Sequence, residues 1–250
     1  MDSRDSMAYL QAMGIQVWRR RELPTTALSP ALDPTVTPDP ESAPTEATAP
    51  PPATAAPTVD EQWQRLITEV DQCTACPLHA SRTRAVFGVG NRQAECMVIG
   101  EAPGADEDRL GEPFVGRAGR LLDPMLKAIG LSREQVFIAN ILKSRPPDNR
   151  DPRPEEIQAC WPYLLRQIEL VQPRMFLIMG RVAAQTLLET QTPVGKLRGT
   201  VHRFQGRPLI VTYHPAYLLR SPLQKAKAWQ DLQLAQRSLA QAIAAETPAS

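Results

Sequence analysis

CMVIG at residues 96–100 is a short apolar run without helical spacing, and it leads directly into the glycine-rich stretch GEAPGADEDRLGEPFVGRAG at 100–119. Four to eight apolar residues bounded by turn formers read as a strand buried on both faces. The pattern recurs at 136–142 (VFIANIL), 175–179 (MFLIM) and 208–213 (PLIVTY). Segments of helical length and spacing lie between them at 117–129, 154–171 and 181–189, with others at 59–70 and 222–245. This alternation predicts the α/β class: a central, mostly parallel sheet covered by helices on both faces. In such sheets ligands meet the carboxyl ends of the strands, so chemistry is sought there.

Composition sets the limits of the folded unit. Ten of the 25 prolines fall between Pro24 and Pro57, in a stretch rich in Ala and Thr without Lys, Arg, Gly or aromatic residues. Such a segment cannot bury enough apolar surface to offset its ordering entropy, so 22–58 reads as a disordered linker between a short motif at 1–21 and a domain at 59–245. Charge is segregated in the same way. Residues 1–21 carry four Arg against two Asp, residues 22–60 carry six acidic groups and no basic one, and the remainder is net +5 within a chain of +1. A mildly basic domain is compatible with a polyanionic partner. No apolar run nears the roughly 20 residues that span a bilayer, and the first residues lack the apolar core of a secretory signal. The expectation is a cytoplasmic monomer with no membrane partner, whose four cysteines are metal ligands or free thiols before disulfides.

Ahead of the linker, Tyr9, Leu10 and Met13 followed by Gly14 suggest one short amphipathic turn, and Trp18 precedes Arg19, Arg20 and Arg21. A tethered aromatic anchor with an Arg cluster suits docking on a partner; a frayed terminus touching its own domain fits the same residues. Through Leu10, Gly14-Ile15 and Trp18 with its arginines, residues 7–21 resemble the N-terminal peptide of the psi subunit of the bacterial replicative clamp loader, which implies a clamp-loader partner.

Three strand ends carry the candidate chemistry. Glu101 follows the first strand, Asn140 ends the second, and His214 follows the last. The loop after Glu101 is too acidic for a nucleotide-binding P-loop and lacks its Lys-Ser or Lys-Thr pair, although Gly116 to Gly119 at the start of a helix could hold one phosphate, with Arg117 adding charge. Taken singly, these residues are a cap, a turn residue and a solvated imidazole. Together with Phe114 they offer an aromatic face, an amide reader and a His, a set that can hold a planar heterocycle.

GEAPGADEDRLGEPFVGRAG, NILKSRPPDNRDPRPEEIQAC (140–160) and YHPAYLLR (213–220) resemble the three signature regions of the family 4 uracil-DNA glycosylases, and the resemblance runs from Cys73 to about Arg220. It implies a central parallel sheet flanked by helices and removal of uracil from single- or double-stranded DNA. The target nucleotide must then leave the stack for a pocket. Carried over position by position, Phe114 would stack on the uracil, while Asn140 would donate to O4 and accept from N3–H. Cytosine would leave both contacts wrong. Bond breaking creates a sugar cation and a uracil anion. His214 would hydrogen-bond O2 as charge builds there, and Glu101 would orient water or stabilise the sugar. Glu107 is the alternative carboxylate, or else shapes the pocket against the C5 methyl of thymine, because Gly104 offers no side chain. Arg117, Arg145, Arg150 and Arg220 would contact DNA, and Leu218 and Leu219 resemble the wedge that fills the gap in the stack; packing at the start of the last helix is the alternative for one of these leucines.

The resemblance also implies an iron-sulfur cluster. Cys73, Cys76 and Cys160 match three of the four ligands; the fourth position, sixteen residues before Cys160, is Ser144. A serine oxygen is a harder and far less acidic ligand than a thiolate. The outcomes are a 4Fe-4S cluster with Ser144 or water on one iron, a three-iron cluster, or idle thiols, and a labile cluster is expected. Zinc on three Cys is the runner-up. Cys96 reads as a core residue. A related subgroup becomes covalently attached to DNA through a His of an inserted loop, but 140–160 contains no His. The competing class is a non-catalytic, replication-associated DNA-binding module on the same fold, which the loss of one ligand at Ser144 favours and the joint presence of Glu101, Phe114, Asn140 and His214 disfavours.

Overall fold

The computed structural model describes residues 57–246, so the expected motif at 1–21 and nearly all of the linker at 22–58 lie outside the described residues. The first helix, α1 (Val59–Asp71), starts at a capping box: Thr58 Oγ1 accepts from the Glu61 amide and Glu61 Oε2 accepts from the Thr58 amide. Its buried residues, Trp63, Leu66 and Val70, follow the helical repeat and face the sheet.

The sheet has six strands: β1 (Val89–Gly90), β2 (Cys96–Gly100), β3 (Phe137–Asn140), β4 (Met175–Met179), β5 (Val201–Phe204) and β6 (Arg207–Thr212), in the order β1-β3-β2-β4-β6-β5. The inner four run parallel, with Ile99 opposite Ala139 and Ile178 opposite Val211, while β1 and β5 pair antiparallel at the two edges. β2 and β4 are buried along their whole length, which is why they read as continuous apolar runs.

Helices cover both faces. They are α2 (Ala105–Leu110), α3 (Arg117–Lys127), α4 (Pro154–Val171), α5 (Arg181–Leu187), α6 (Val194–Leu197), α7 (Pro215–Arg220) and α8 (Lys225–Glu246). Alternate strand residues divide the core. Phe176 and Ile178 of β4 pack with Trp63, Leu164 and Ala183 from α1, α4 and α5, whereas Met175, Leu177 and Met179 pack with Leu122, Leu218 and Leu232 from α3, α7 and α8. The result is the expected three-layer α/β architecture. No described helix is long and apolar enough to cross a membrane.

The structure departs from the sequence expectation at the edges. The β5–β6 hairpin turns through Gln205 and Gly206, both at positive φ (49° and 79°). Gln is an uncommon first residue for such a turn, so the hairpin lacked its usual signal. The segment at 222–245 is a 3₁₀ turn at Pro222–Gln224 followed by α8. The strand at 136–142 pairs as β3 only to Asn140, the residue opposite Gly100.

Candidate active site

The parallel strands converge on one cleft of about 420 Å³, whose walls include Glu101, Phe114, Asn140 and His214. Two glycines allow the approach. A Cβ on Gly100 would lie 2.4 Å from Asn140 Oδ1 and 2.6 Å from Phe114 Cζ, so amide and ring can meet over this strand end only because it is bare. Phe114 has φ 53°, a left-handed conformation rare for an aromatic residue. It is seated against Gly119, where a Cβ would fall 1.6 Å from the Phe114 carbonyl oxygen. The Phe114 ring in turn stacks with that of His214, centroids 5.5 Å apart at 29°.

Glu107 explains how the Phe114 loop is held. Its Oε1 accepts from the amides of Val115 (3.0 Å) and Gly116 (2.9 Å), and its Oε2 accepts from Gly104 (3.1 Å). With both oxygens accepting from backbone donors, Glu107 pins the loop while still lining the cleft. It also takes donors that a phosphate at Gly116 to Gly119 would need.

Electrostatics separate the remaining groups. Burial, then the nearby Arg220 charge, lowers the His214 pKa to about 4, so the imidazole is neutral near neutral pH. The Ala216 amide donates to its Nδ1 at 3.2 Å, which leaves the proton on Nε2 and makes that nitrogen a donor. Burial, and then repulsion from Asp151, raises the Glu101 carboxyl to about 7, with Arg181 opposing the shift. Asn140 is buried, and its Oδ1 has no hydrogen-bond partner. A buried, unpaired amide oxygen is costly unless a ligand completes it. Behind it, the buried Lys143 donates to the Asn140 backbone oxygen at 2.8 Å and to Gln167 Oε1 at 2.7 Å, fixing the end of β3.

The expected DNA-contacting residues part company. Arg117 and Arg220 are exposed and form no ion pair among the described residues, and Leu219 is 37% exposed. Leu218 is 1% exposed and packs in the core beneath α7, so its assignment to the wedge is corrected. Arg150 is engaged within the protein: its fork donates to both oxygens of the buried Glu156 (2.8 and 2.5 Å) and closes the 143–153 loop on α4. Arg145 donates to Asn149 Oδ1 at 2.8 Å. Leu218→Ala is therefore expected to cost about 2–5 kcal/mol of stability. Leu219→Ala should leave stability within about 0.5 kcal/mol while slowing any reaction on duplex more than on single-stranded DNA. Denaturant unfolding and paired rate measurements check both.

The thiols fall into two groups. Cys96 lies buried in β2, and burial pushes its thiol up to about 12. Cys73 and Cys76 follow α1, Cys160 lies on α4, and the thiol of Cys160 is raised chiefly by burial, with further contributions from Cys76 and Cys73, which places the three sulfurs in one neighbourhood. Backbone amides point at two of them: Ala75 to Cys73 and Lys143 to Cys160, each at 3.5 Å. Ser144 is buried beside them and accepts from Arg82 Nη1 at 3.1 Å. Among the described residues, no three His, Cys, Asp or Glu side chains converge tightly enough to hold a single metal ion. The amides of Ala75 and Lys143 are donors of the kind that tune thiolate ligands.

Sequence reasoning overlooked Asp151, Arg181 and Tyr217. Asp151 and Tyr217 line the cleft, and Arg181 pairs with Asp151 at 2.5 Å. Gly180-Arg181 follows the end of β4, the fourth strand end, and that position was the available signal. A separate groove of about 660 Å³ lies at the opposite ends of the strands, between Trp63, Arg92 and Arg174, away from these groups.

Residues 87–233 match the model of the uracil DNA glycosylase superfamily. The chain is 46% identical over 170 residues to the type-4 uracil-DNA glycosylase of Archaeoglobus fulgidus, spanning 65% of this chain and 85% of that protein. The type-4 uracil-DNA glycosylase of Thermotoga maritima is 43% identical over 164 residues, 64% of this chain and 85% of that protein. A type-5 uracil-DNA glycosylase of Pyrobaculum aerophilum is 31% identical over 146 residues, 52% and 64% of the two chains. This chain belongs to the type-4 branch of the uracil-DNA glycosylase superfamily.

Proposed function

We propose that the protein is a monofunctional uracil-DNA glycosylase that takes uracil out of single- or double-stranded DNA, hydrolyses its N-glycosidic bond and so opens base-excision repair in the cytoplasm. The observation that carries this reading is the buried, unpartnered Asn140 Oδ1 facing a cleft walled by Phe114 and His214. Uracil completes that oxygen with N3–H, lies against Phe114 and presents O2 to the neutral His214 Nε2–H. Negative charge growing on O2 is met by a donor already in place. Glu101, as carboxylate, orients the attacking water or stabilises the cationic sugar. Arg117 and Arg220 meet phosphates, and Leu219 fills the gap left in the stack.

Cys73, Cys76 and Cys160 hold an iron-sulfur cluster in this proposal, with Ser144 at the position of weakest attachment. When bound, the cluster supplies structure, stapling the segment after α1 to α4 and the 143–153 loop; hydrolysis needs no redox step. Protein purified without oxygen is expected to contain iron and acid-labile sulfide. Cys160→Ala should lose both and unfold at lower temperature, and Ser144→Cys should retain more iron in air. A metal-free wild type that is fully folded and active would overturn the cluster.

Residues 7–21 are proposed to dock on a replication partner such as a clamp loader; unchanged pull-down after deleting 1–21 would count against this. The catalytic reading is tested against a non-catalytic DNA-binding module by incubating wild type with a uracil-containing oligonucleotide and treating with alkali. Strand breakage at uracil and not at cytosine is expected. DNA binding without breakage would favour the module.

A further inference from the structure

The Asp151–Arg181 pair is not used by the chemistry above, yet it stands beside it. Asp151 comes from the loop after β3 and lines both the cleft that holds Glu101 and a neighbouring groove walled by Arg181. Arg181 opens α5 after β4, donates to Asp151 Oδ2 at 2.5 Å and reaches Gln185 Oε1 at 3.3 Å. Glu101, just after β2, the strand between β3 and β4, has no side-chain hydrogen bond among the described residues. Its carboxyl is therefore governed by burial first and then by the charges around it.

We propose that Asp151 and Arg181 are positioning residues for Glu101, an ion pair of opposite charges beside the carboxylate that sets when it is ionised and available to the water and sugar. This inference rests on the catalytic reading of Glu101 given above. Asp151 disfavours the carboxylate and Arg181 favours it, so removing one or the other moves the ionisation in opposite senses. The other charged or titratable groups of the cleft are Glu107 from α2, Arg150 from the loop after β3, and His214, Tyr217 and Arg220 around α7. Glu107 and Arg150 are bound to backbone amides and to Glu156, and His214 loses its proton near pH 4. Lys143 titrates to about 7 as well, but it lies behind Asn140, and its deprotonation would lower a rate that needs its charge at high pH instead of raising it.

Single-turnover uracil release from a single-stranded oligonucleotide between pH 5 and 9, a range set on the order of two units either side of neutrality to bracket a perturbed carboxyl, reads the shift. The wild-type rate should rise with pH through a midpoint of about 7. Asp151→Asn should move that midpoint down and Arg181→Met should move it up, each by roughly a few tenths of a pH unit, because the Arg181 and Asp151 side chains are 49% and 68% exposed and their charges are screened. A merely structural pair would lower the plateau and leave the midpoint fixed. Carbon-13 NMR of the Glu101 carboxyl in the same proteins reads its ionisation without reference to activity. Opposite NMR shifts with an unchanged rate profile in Glu101→Gln would remove the catalytic assignment of Glu101 while leaving the electrostatic coupling in place. NMR midpoints equal to wild type in both variants would overturn the inference itself.

Discussion

Replacing His214 by alanine is expected to lower the single-turnover rate of uracil release by roughly 10²–10³-fold, the usual cost of removing one preorganised donor from a developing oxyanion. The magnitude follows from three features of this site. Burial and the Arg220 charge hold the ring neutral, so in the proposed reaction it would stabilise the leaving uracil by donation without a proton transfer. The Ala216 amide on Nδ1 fixes which nitrogen donates. Stacking on Phe114 fixes where the donor points. The loss should therefore appear in the chemical step, with DNA affinity nearly unchanged and no rescue at low pH. A decrease of less than about fivefold, far below the cost of a lost oxyanion donor, would mean that O2 is stabilised by another group.

Gly119→Ala is expected to abolish activity and to cost at least the roughly 1–3 kcal/mol of an overpacked core. The added methyl would fall 1.6 Å from the Phe114 carbonyl oxygen and 2.2 Å from its carbonyl carbon, and both are backbone atoms with no rotamer to change. α3 must retreat or Phe114 must leave its left-handed conformation, and either movement takes the ring away from His214. Gly116→Ala is the informative contrast, because its nearest atoms are the ends of the Asp106 and Glu107 side chains at 2.9 and 3.3 Å. That variant should retain measurable activity. Thermal unfolding together with uracil release checks both, and a Gly119→Ala enzyme of wild-type rate would show that the seating of Phe114 is dispensable.

The central sheet was legible because β2 and β4 are buried on both faces and carry no polar residue to blur them. β1 and β5 were not, since two- and four-residue edge strands half open to solvent carry neither a continuous apolar run nor a turn signal. Within the site, residue type indicated where to look but not which atoms remained free. Glu107 and Arg150 have the chemistry of a water-handling acid and a phosphate contact, and only the fold shows their polar atoms already bound, to the Val115 and Gly116 amides and to Glu156. Leu218 and Leu219 are adjacent in sequence, and the helical turn of α7 sends one into the core and leaves the other exposed. Arg181 and Asp151 are thirty residues apart, and no local pattern could have paired them.

Uracil release by wild type and Asn140→Ala, followed side by side on one single-stranded oligonucleotide with binding to uracil-free DNA measured in parallel, tests the account most directly. Rapid release by wild type, a loss of at least about 10²-fold in the variant and equal binding of uracil-free DNA are the predicted results. Equal release by the two proteins, or none from a folded wild type that still binds DNA, would contradict it.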